Sequence, residues 1–549
     1  MARRLIMETF LFLIANNTLT RVIFFPTLAC LPLLFAHGRD QYIKVWTLVA
    51  SLVQLGLTLA LVIPSFGPGG AFQSLQELDR DGQVIDWIPR FGIRYELYLD
   101  GISMPLVVLT SLLLPLVVAG SWRGIQRNWR GYAVSLLLLT TGILGALVAT
   151  DLFLFYVFWE VMLVPMYLLI GIWGSERRIY AAVKFFLFTM VGSLAMLLGI
   201  VWLAWTYRDL AGHWSFSLYR LALLDLPLEQ QLWLFGAFGL AFAIKVPLVP
   251  LHTWLPDAHV EAPTGGSVML AGILLKLGIY GFLRFALPLF PHAAQRAQPL
   301  LLALALVGIL YGALVAWAQV DAKKLVAYSS VAHLGFVMLG LFAFNSLAWQ
   351  GSLLQMINHG LSTGALFFLV GMIYDRRHTK LFDELGGLAK VMPWLAFFLV
   401  VSALASMGLP GLNGFVGEFL ILIGTYQAGL VWPAILAAFG VVLAALYLLK
   451  MLSRTLWGPI RVEANQKLRD LSLREILIMA PLCLLMLAIG VAPESFLRPS
   501  RDSLDRVLAY YQSSVQRLPP AERRLKIVPA PPARSVNGDR QSERSEVQQ

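Results

Sequence analysis

Residues 242–263, FAIKVPLVPLHTWLPDAHVEAP, combine an apolar run with groups that a membrane helix should avoid. Lys245 interrupts the apolar residues, and Pro247 and Pro250 follow it closely. The titratable side chains of this stretch are Lys245, His252, Asp257, His259 and Glu261. A charge at the centre of a membrane helix costs at least about 2.5 to 3.5 kcal/mol on insertion scales. A Lys at this position therefore needs a partner, a cavity or a function.

The whole chain is far more apolar than a soluble domain. Of its 549 residues, 58% are hydrophobic and 13% are charged, and the mean hydropathy is +0.73. About fourteen segments approach the ~20 apolar residues that a spanning helix needs. Their approximate spans are residues 21–37, 42–64, 101–122, 131–150, 152–173, 180–207, 229–251, 263–288, 299–319, 322–342, 347–373, 394–428, 432–456 and 473–497. The sequence therefore predicts an all-α polytopic membrane protein.

Motifs for redox cofactors and phosphate binding do not occur in the sequence. The two cysteines, Cys30 and Cys483, lie far apart in apolar runs, so they provide neither a disulfide framework nor a CxxC pair. A Gly-rich phosphate loop is also missing. We therefore expect no redox cofactor in this chain. Residues 1–20 resemble a signal peptide but have no clean small-residue cleavage site, so we interpret them as an N-terminal extension.

Basic residues predict the orientation in the membrane. If both termini lie outside, in the periplasm of a bacterial inner membrane, the inner loops are rich in Lys and Arg, including Lys323 and Lys324, and the outer loops are nearly free of them. The outer loop at residues 65–100 is acidic. The net charge of +11 thus reflects membrane topology and a basic tail, and nucleic-acid binding explains it less well. Residues 498–549 are polar and rich in Pro and Ser, and we expect them to be a disordered tail.

Several ionisable residues lie inside the predicted spans. They are Glu160, Lys184, Lys245, Lys276, His333, His359 and Glu418. Lys184 lies near a helix start, where its ammonium can reach the interface by snorkelling. The two His residues have other readings, as neutral packing groups or as haem ligands. The two Glu residues and Lys245 lie too deep to snorkel, so the alternative for them is a structural ion pair.

Ionisable positions recur at nearly one separation along the chain. The pairs are Glu160 and His333 (173 positions apart), Lys184 and His359 (175), Lys245 and Glu418 (173), and Lys276 and Lys450 (174). The repeated unit contains five predicted helices, an odd number, so the second copy enters the membrane inverted. We predict inverted repeats of helices 4–8 (residues 131–288) and helices 9–13 (residues 299–456). Helices 1–3 in residues 21–130 precede them, and a last helix at 473–497 follows.

Helix-breaking residues stand beside two of the repeated positions. Pro247 and Pro250 follow Lys245 in the seventh helix, and MGLPGLNGFVGEF, residues 407–419, brings Gly and Pro just before Glu418 in the twelfth. Irregular backbone at membrane depth is tolerated only inside protein or beside a water-filled cavity. We therefore expect helices 7 and 12 to be broken and both ionisable groups to lie beside hydrated backbone.

The chemistry of these groups favours protons as the cargo. Burial disfavours the charged form of Lys245 and a nearby carboxylate favours it, so a change at Glu160 would make the Lys release its proton. The sequence contains no cluster of oxygen ligands for a fixed metal ion, although carbonyls in the broken helices can hold Na⁺ transiently. Lys, His and Glu residues on successive helices predict a proton relay across the membrane.

Residues 245–281, KVPLVPLHTWLPDAHVEAPTGGSVMLAGILLKLGIYG, resemble the signature of the antiporter-like membrane subunits of respiratory complex I, the proton-pumping NADH:quinone oxidoreductase. The resemblance covers nearly all of residues 100–497. The twelfth-helix sequence GLPGLNGFVGEF is similar to that of the M-type subunits, because it carries Glu418 where the L and N types carry Lys. Residues after 497 do not resemble the long lateral helix of the L type.

The resemblance implies roles for single residues and for partners. Glu160 and Lys245 would form the input ion pair, Lys276 would link onward, and Glu418 would deliver protons to the outer side. The enzyme would be a translocase whose FMN, iron–sulfur clusters and quinone lie in partner subunits. Antiporter-like neighbours on both sides, together with lipids, would surround the chain.

Other functions remain open at the level of sequence. The chain could belong to a Mrp-type sodium/proton antiporter or to a membrane-bound hydrogenase, or it could be a quinone-binding membrane scaffold without ion transport. Sodium-dependent proton flux by the chain alone would favour the antiporter. A retained quinone, with pumping indifferent to Glu160 and Lys245, would favour the scaffold.

Overall fold

The computed structural model describes residues 18–36, 38, 40–67, 70, 72–76, 84–517 and 526–527. Helices dominate this part of the chain, which confirms the all-α prediction. The helices are α1 Thr18–Leu28, α2 Leu31–Phe35, α3 Asp40–Val62, α4 Met104–Gly124, α5 Trp129–Val148, α6 Leu152–Val161, α7 Leu163–Trp173, α8 Arg178–Ala211, α9 Leu218–Leu221, α10 Leu228–Lys245, α11 Trp254–Glu261, α12 Thr264–Met269, α13 Lys276–Gly281, α14 Leu287–Leu289, α15 Pro291–Ala318, α16 Ala322–Leu341, α17 Ser346–Arg377, α18 Pro393–Ser406, α19 Asn413–Gln427, α20 Val431–Leu456, α21 Leu473–Val491 and α22 Glu494–Gln516.

Shorter elements complete the fold. The π-helical turns are Leu270–Leu274 and Phe282–Ala286, and the 3₁₀ turns are Ile63–Ser65, Pro89–Phe91, Phe382–Glu384, Leu388–Lys390 and Glu463–Lys467. The strands are β1 Leu75–Gln76, β2 Ile85–Ile88, β3 Ile93–Tyr95, β4 Tyr98–Leu99, β5 Leu224–Asp225 and β6 Lys526–Ile527. They pair antiparallel as β1 with β4, β2 with β3 and β5 with β6. The hairpin formed by β2 and β3 lies in the loop that the sequence predicts only as acidic.

In the described residues, 12 helical segments are long and apolar enough to cross a membrane. Two further segments, 228–261 and 393–427, are each divided into two shorter helices. A polytopic membrane protein is therefore confirmed. The total of fourteen crossings and the inversion of the two repeats stay predictions.

The two divided segments are interrupted where the sequence has Pro and Gly. Helix α10 ends at Lys245, and the chain becomes helical again only at Trp254. The indole N–H of Trp254 donates to the carbonyl of Ile244 (3.0 Å), so it satisfies one of the acceptors that the helix end leaves free. Between α18 and α19, Gly408 and Gly411 adopt φ of 77° and 92°, a left-handed backbone that only Gly adopts at little cost.

Three spans lie almost entirely inside the bundle: 264–289, 322–341 and 346–377. Their surfaces contact other helices on all sides, whereas spans such as Arg178–Ala211 and Val431–Leu456 leave most of one face exposed. The enclosed spans carry much of the buried polar side-chain content of the chain. The interior of the bundle is therefore the place to look for a functional site.

Connecting segments gather on two opposite faces because successive spans alternate in direction. One face, the hairpin side, carries the hairpin of β2 and β3 with segments 149–151 and 212–227, which meet in a bridge between Asp151 and Ser217. The opposite face, the basic side, carries segments 125–128, 174–177, 319–321, 378–392 and 457–472. Which face points into the cell stays a prediction.

The expectation of a disordered tail from residue 498 is wrong for its first part. Helix α22 covers Glu494–Gln516 on the hairpin side, and it buries Leu497, Leu504, Leu508 and Tyr511 along one face. This apolar stripe, whose residues recur at helical spacing, packs on the ends of α15 and α17. The stripe is hard to recognise in the sequence because the segment as a whole is polar. Most of residues 518–549 lie outside the described residues.

Candidate functional site

Lys276 stands where the helix of the eighth span widens. A π-helical turn precedes it at Leu270–Leu274, and another follows at Phe282–Ala286. Such turns interrupt the regular i to i−4 ladder, and they occur often at functional sites. The fully buried ammonium of Lys276 donates to the carbonyl of Ala271 and contacts His359 Nδ1 at 2.6 Å. The widened helix thus aims Lys276 at His359.

A second set of contacts continues from His359 to Glu418. The rings of His359 and His333 lie 5.9 Å apart between centroids, and His333 Nδ1 lies 2.9 Å from Glu418 Oε1. All three side chains are buried. Lys276, His359, His333 and Glu418 therefore form one row of neighbouring titratable groups, which we call the central row. Four of the six predicted site residues meet here, although they are up to 142 positions apart.

The break between α18 and α19 lies against the carboxylate of Glu418. Its Oε1 also accepts from Gln355 Nε2 at 3.0 Å, while its Oε2 has no hydrogen-bond partner among the described residues. A Cβ at Gly408 would lie 3.3 Å from Oε2, so the left-handed turn directly faces this oxygen. One oxygen of Glu418 is thus held by the row and the other points at the break.

Neutral polar residues that the sequence reasoning did not single out support the central row. Tyr447 Oη lies 3.2 Å from His333 Nε2. Asn358 donates to Gln355 Oε1 (3.0 Å) and to the carbonyl of Asn413 (2.7 Å), which holds Gln355 in place beside the start of α19. The run LLQMINHG, residues 353–360, could have predicted this network. It places two amide side chains in a buried span, and buried amides are nearly always hydrogen-bonded.

Glu160 and Lys245 are not in direct contact. Lys245 is buried at the end of α10, and its Nζ lies 4.7 Å from the centroid of the Trp159 ring. No salt bridge joins it to Glu160 in the described part of the chain, although the two charges lie within electrostatic range. The aromatic face of Trp159 occupies the position next to the ammonium, as in cation–π contacts. The predicted ion pair is therefore absent from this structure, and the coupling of the two groups stays a prediction.

The two remaining candidates lie away from the central row. Lys184 forms a partly buried ion pair with Asp257 Oδ2 at 2.7 Å. Lys450 donates to the carbonyls of Trp317 and Gln319, the latter at 3.0 Å, at the basic-side end of α15. Its position agrees with the snorkelling alternative for a Lys near a helix end.

Several buried titratable residues were missed as site candidates, among them His259 and Lys323. His259 stacks on Phe367 with centroids 4.6 Å apart, and neither ring nitrogen has a hydrogen-bond partner among the described residues. Lys323 donates to the carbonyls of Ala262 (2.6 Å) and Val260 (3.4 Å) and is nearly buried. The sequence showed both, but His259 stands in a polar-looking stretch and Lys323 was assigned to an inner loop.

The central row does not fit the other ligands considered for it. A haem would need open space between two His nitrogens, but His333 and His359 lie against each other and against Glu418 and Lys276. The described residues include no group of three or more His, Cys, Asp or Glu side chains that would hold a metal ion. The arrangement places groups that can hold and exchange protons next to one another, with hydrogen-bond contacts at its two ends and a ring contact between the two His residues.

Comparison with known proteins shows the family of this chain. Residues 149–444 match the family model described as NADH:quinone oxidoreductase/Mrp antiporter, TM. The chain is 42% identical over 481 residues to NADH-quinone oxidoreductase subunit M of Escherichia coli (strain K12), covering 85% of this chain and 93% of that protein. It is 45% identical over 440 residues to the subunit M of Pseudomonas aeruginosa, covering 79% and 86%.

Solved structures show the same fold. A chain of respiratory complex I from Thermus thermophilus with bound NADH is 34% identical, with a TM-score of 0.78 over 89% of this chain and 99% of that chain. A chain of the Mrp complex from Dietzia sp. DQ12-45-1b is 22% identical, with a TM-score of 0.76 over 91% and 100%, a likeness of fold alone. This chain therefore belongs to the NADH:quinone oxidoreductase/Mrp antiporter family of membrane subunits, and within it to the subunit M group.

Proposed function

We propose that this chain is the proton-translocating subunit M of a bacterial NADH:quinone oxidoreductase. Its relatives carry that subunit name, and its spans support a multi-pass protein of the inner membrane. Redox chemistry takes place in partner subunits, which hold FMN, iron–sulfur clusters and quinone. The present chain moves protons when those partners react, and antiporter-like neighbours and lipids flank it in the membrane.

The observation that carries the proposal is the central row. Lys276, His359, His333 and Glu418 have side chains of the types that carry protons in relays, and adjacent groups lie at 2.6 Å, 5.9 Å between ring centroids, and 2.9 Å. A purely structural ion pair needs only two charged groups. A row of four titratable groups, in which one oxygen of Glu418 faces a helix break, supports proton transfer instead. Such a row is expensive to bury, so packing alone is a poor reason for it.

The proton passes along the row in one order. A change at Glu160 lowers the stability of the charged Lys245, which releases its proton toward Lys276. Lys276 passes a proton to His359, His359 to His333, and His333 to Glu418. Glu418 releases it through the break toward the hairpin side, which is the outer side under the positive-inside rule. A Glu at the last position favours subunit M over types with Lys there.

Isolation from native membranes tests the proposal. We expect the chain in a large assembly with flavin and iron–sulfur clusters that oxidises NADH with quinone and acidifies one side of sealed vesicles. Purification of the chain in an assembly without these cofactors, with proton flux that depends on sodium, would contradict it in favour of the antiporter. NADH oxidation without any proton movement would favour the scaffold.

A further inference from the structure

Two cavities on the basic side share a wall. The wider cavity, of about 870 Å³, is bordered mainly by charged groups, including Arg123, Asp375, Arg376, His378, Asp470 and Glu475. The narrower one, of about 210 Å³, has Lys323 in its lining, and we call it the entry cavity. Gly124, Tyr374 and Asp375 line both cavities. These three residues therefore stand where the two cavities adjoin, a place that we call the passage.

Asp375 is a carboxylate without a fixed partner at this passage. It accepts no hydrogen bond and forms no ion pair within the described ranges, although its neighbour Arg376 lies beside it in sequence. Arg376 instead holds Glu475 through two bonds of 2.9 and 2.8 Å. Asp375 also stands in the last turn of α17, where the carbonyl end of a helix disfavours negative charge. Glu475 and the cations Arg376, Arg474 and His378 lie within electrostatic range of Asp375, but none of them forms an ion pair with it, so the carboxylate is free to exchange a proton with water.

Lys323 and His259 connect the entry cavity to the central row. Lys323 lines the entry cavity and donates to the carbonyl of Val260, the residue after His259. His259 lies within electrostatic range of both Lys323 and Lys276, and its two ring nitrogens are unpartnered among the described residues. Titratable groups therefore follow one another from the passage to Lys276.

We propose that Asp375 is the proton-uptake residue of the basic side and that the entry cavity feeds the central row. The carboxylate takes a proton from water of the wider cavity and gives it, through water, to the neutral amine of Lys323. Lys323 passes a proton to His259, and His259 passes one to Lys276. The inference rests on the proposed function, because it supplies an inlet to the relay described above.

The inlet is tested in the assembled complex in proteoliposomes. Asp375→Asn removes the titrating group at nearly constant shape, and Asp375→Glu keeps it. Asp383→Asn is the matched control, since Asp383 is an exposed carboxylate on the same side, paired with Arg461. Gly124→Val narrows the passage independently, because a Cβ at Gly124 meets only the carboxylate of Asp375, at 3.4 Å. Proton pumping and NADH oxidation are both measured, with and without sodium formate as a small proton carrier.

We expect Asp375→Asn to slow pumping at least several-fold, with formate restoring most of it, while Asp375→Glu and Asp383→Asn pump like the wild type. Gly124→Val should slow pumping without rescue by formate. Wild-type pumping by Asp375→Asn, or a loss that formate does not restore, would overturn the inlet. If Asp375→Asn does not assemble, normal pumping by Gly124→Val overturns it. Lys276→Met distinguishes failure of the inlet from failure of the central row. Normal pumping by that variant would refute the proton relay through the central row itself.

Discussion

Glu160 illustrates what a single buried carboxylate contributes. It is half-buried, and one of its oxygens has no hydrogen-bond partner among the described residues, so we expect its charge to act on Lys245 through space and not through contact. Glu160→Gln keeps the size and removes that charge. We expect an assembled complex whose proton pumping is nearly abolished, measured as protons moved per NADH oxidised in proteoliposomes. A wild-type ratio in this variant would show that Lys245 works without Glu160.

Asp151 on the hairpin side gives a pH-dependent prediction. Its carboxylate accepts from the N–H groups of Phe153, Leu154 and Arg94. Burial raises its pKa to about 7, backbone hydrogen bonds oppose that rise, and the nearby Glu96 adds to it. Because the folded-state pKa is raised, folding favours the protonated carboxyl of Asp151. Its contribution to the free energy of unfolding is complete below the unfolded pKa of about 3.9 and is lost as the pH rises toward 7.

Asp151→Asn keeps a good helix cap but cannot ionise. We therefore compare the thermal midpoint of the variant with that of the wild type at the same pH. We expect the difference, variant minus wild type, to be larger at pH 8 than at pH 5. Thermal unfolding of the purified complex across that range is the measurement, with Asp86→Asn on the exposed hairpin as control. A difference between variant and wild type that does not change with pH would contradict the assignment.

The broken helix between α18 and α19 can be tested through its glycines. Gly408 and Gly411 both have positive φ, so an Ala at either costs about 1 to 2 kcal/mol in backbone strain. Only at Gly408 does the added Cβ meet the Glu418 carboxylate, at 3.3 Å, while nothing lies within 4 Å at Gly411. We expect similar losses of thermal stability, but a further several-fold loss of pumping in Gly408→Ala alone. Equal pumping by the two variants would show that the turn at Gly408 does not act on proton transfer through Glu418.

The sequence predicts these elements better than it predicts their contacts. Span lengths, the Pro and Gly breaks, and the buried charges follow from local rules, so the sequence predicts the helices and identifies the buried candidate residues. Contacts such as Lys276 with His359, 83 positions apart, depend on how helices pack. The sequence predicts Glu160 as the neighbour of Lys245, but the structure has Trp159 there. Local sequence patterns do not decide which of two adjacent residues faces a neighbouring helix.

Elements outside the membrane were the least predictable. Helix α22 and the hairpin of β2 and β3 lie in segments whose polarity suggested loop or tail, and their order comes from packing against the ends of the spans. The passage at Asp375 was also hidden, since a carboxylate at the end of a span looks like an ordinary surface group. Cavities belong to the assembled bundle and leave little trace in sequence.

The two halves of the molecule should be related by inversion. Their ionisable positions repeat at one separation, and each half contains one helix broken next to such a position, Lys245 in the first and Glu418 in the second. In an experimental structure we expect residues 131–288 to superpose on 299–456 about an axis in the membrane plane, with these two residues coinciding. If they fall on opposite faces of their bundles, the regular separation has no structural meaning.

Proton translocation through Glu418 is the most direct test of the relay. The measurement is protons moved per NADH oxidised by assembled complexes in sealed vesicles, with wild type, Glu418→Gln and Glu418→Asp compared. Gln can still accept from His333 and Gln355 but cannot titrate, so we predict that Glu418→Gln stops pumping. Glu418→Asp keeps the acid with a shorter reach and should only slow it. A Glu418→Gln complex that pumps as well as the wild type would contradict the account.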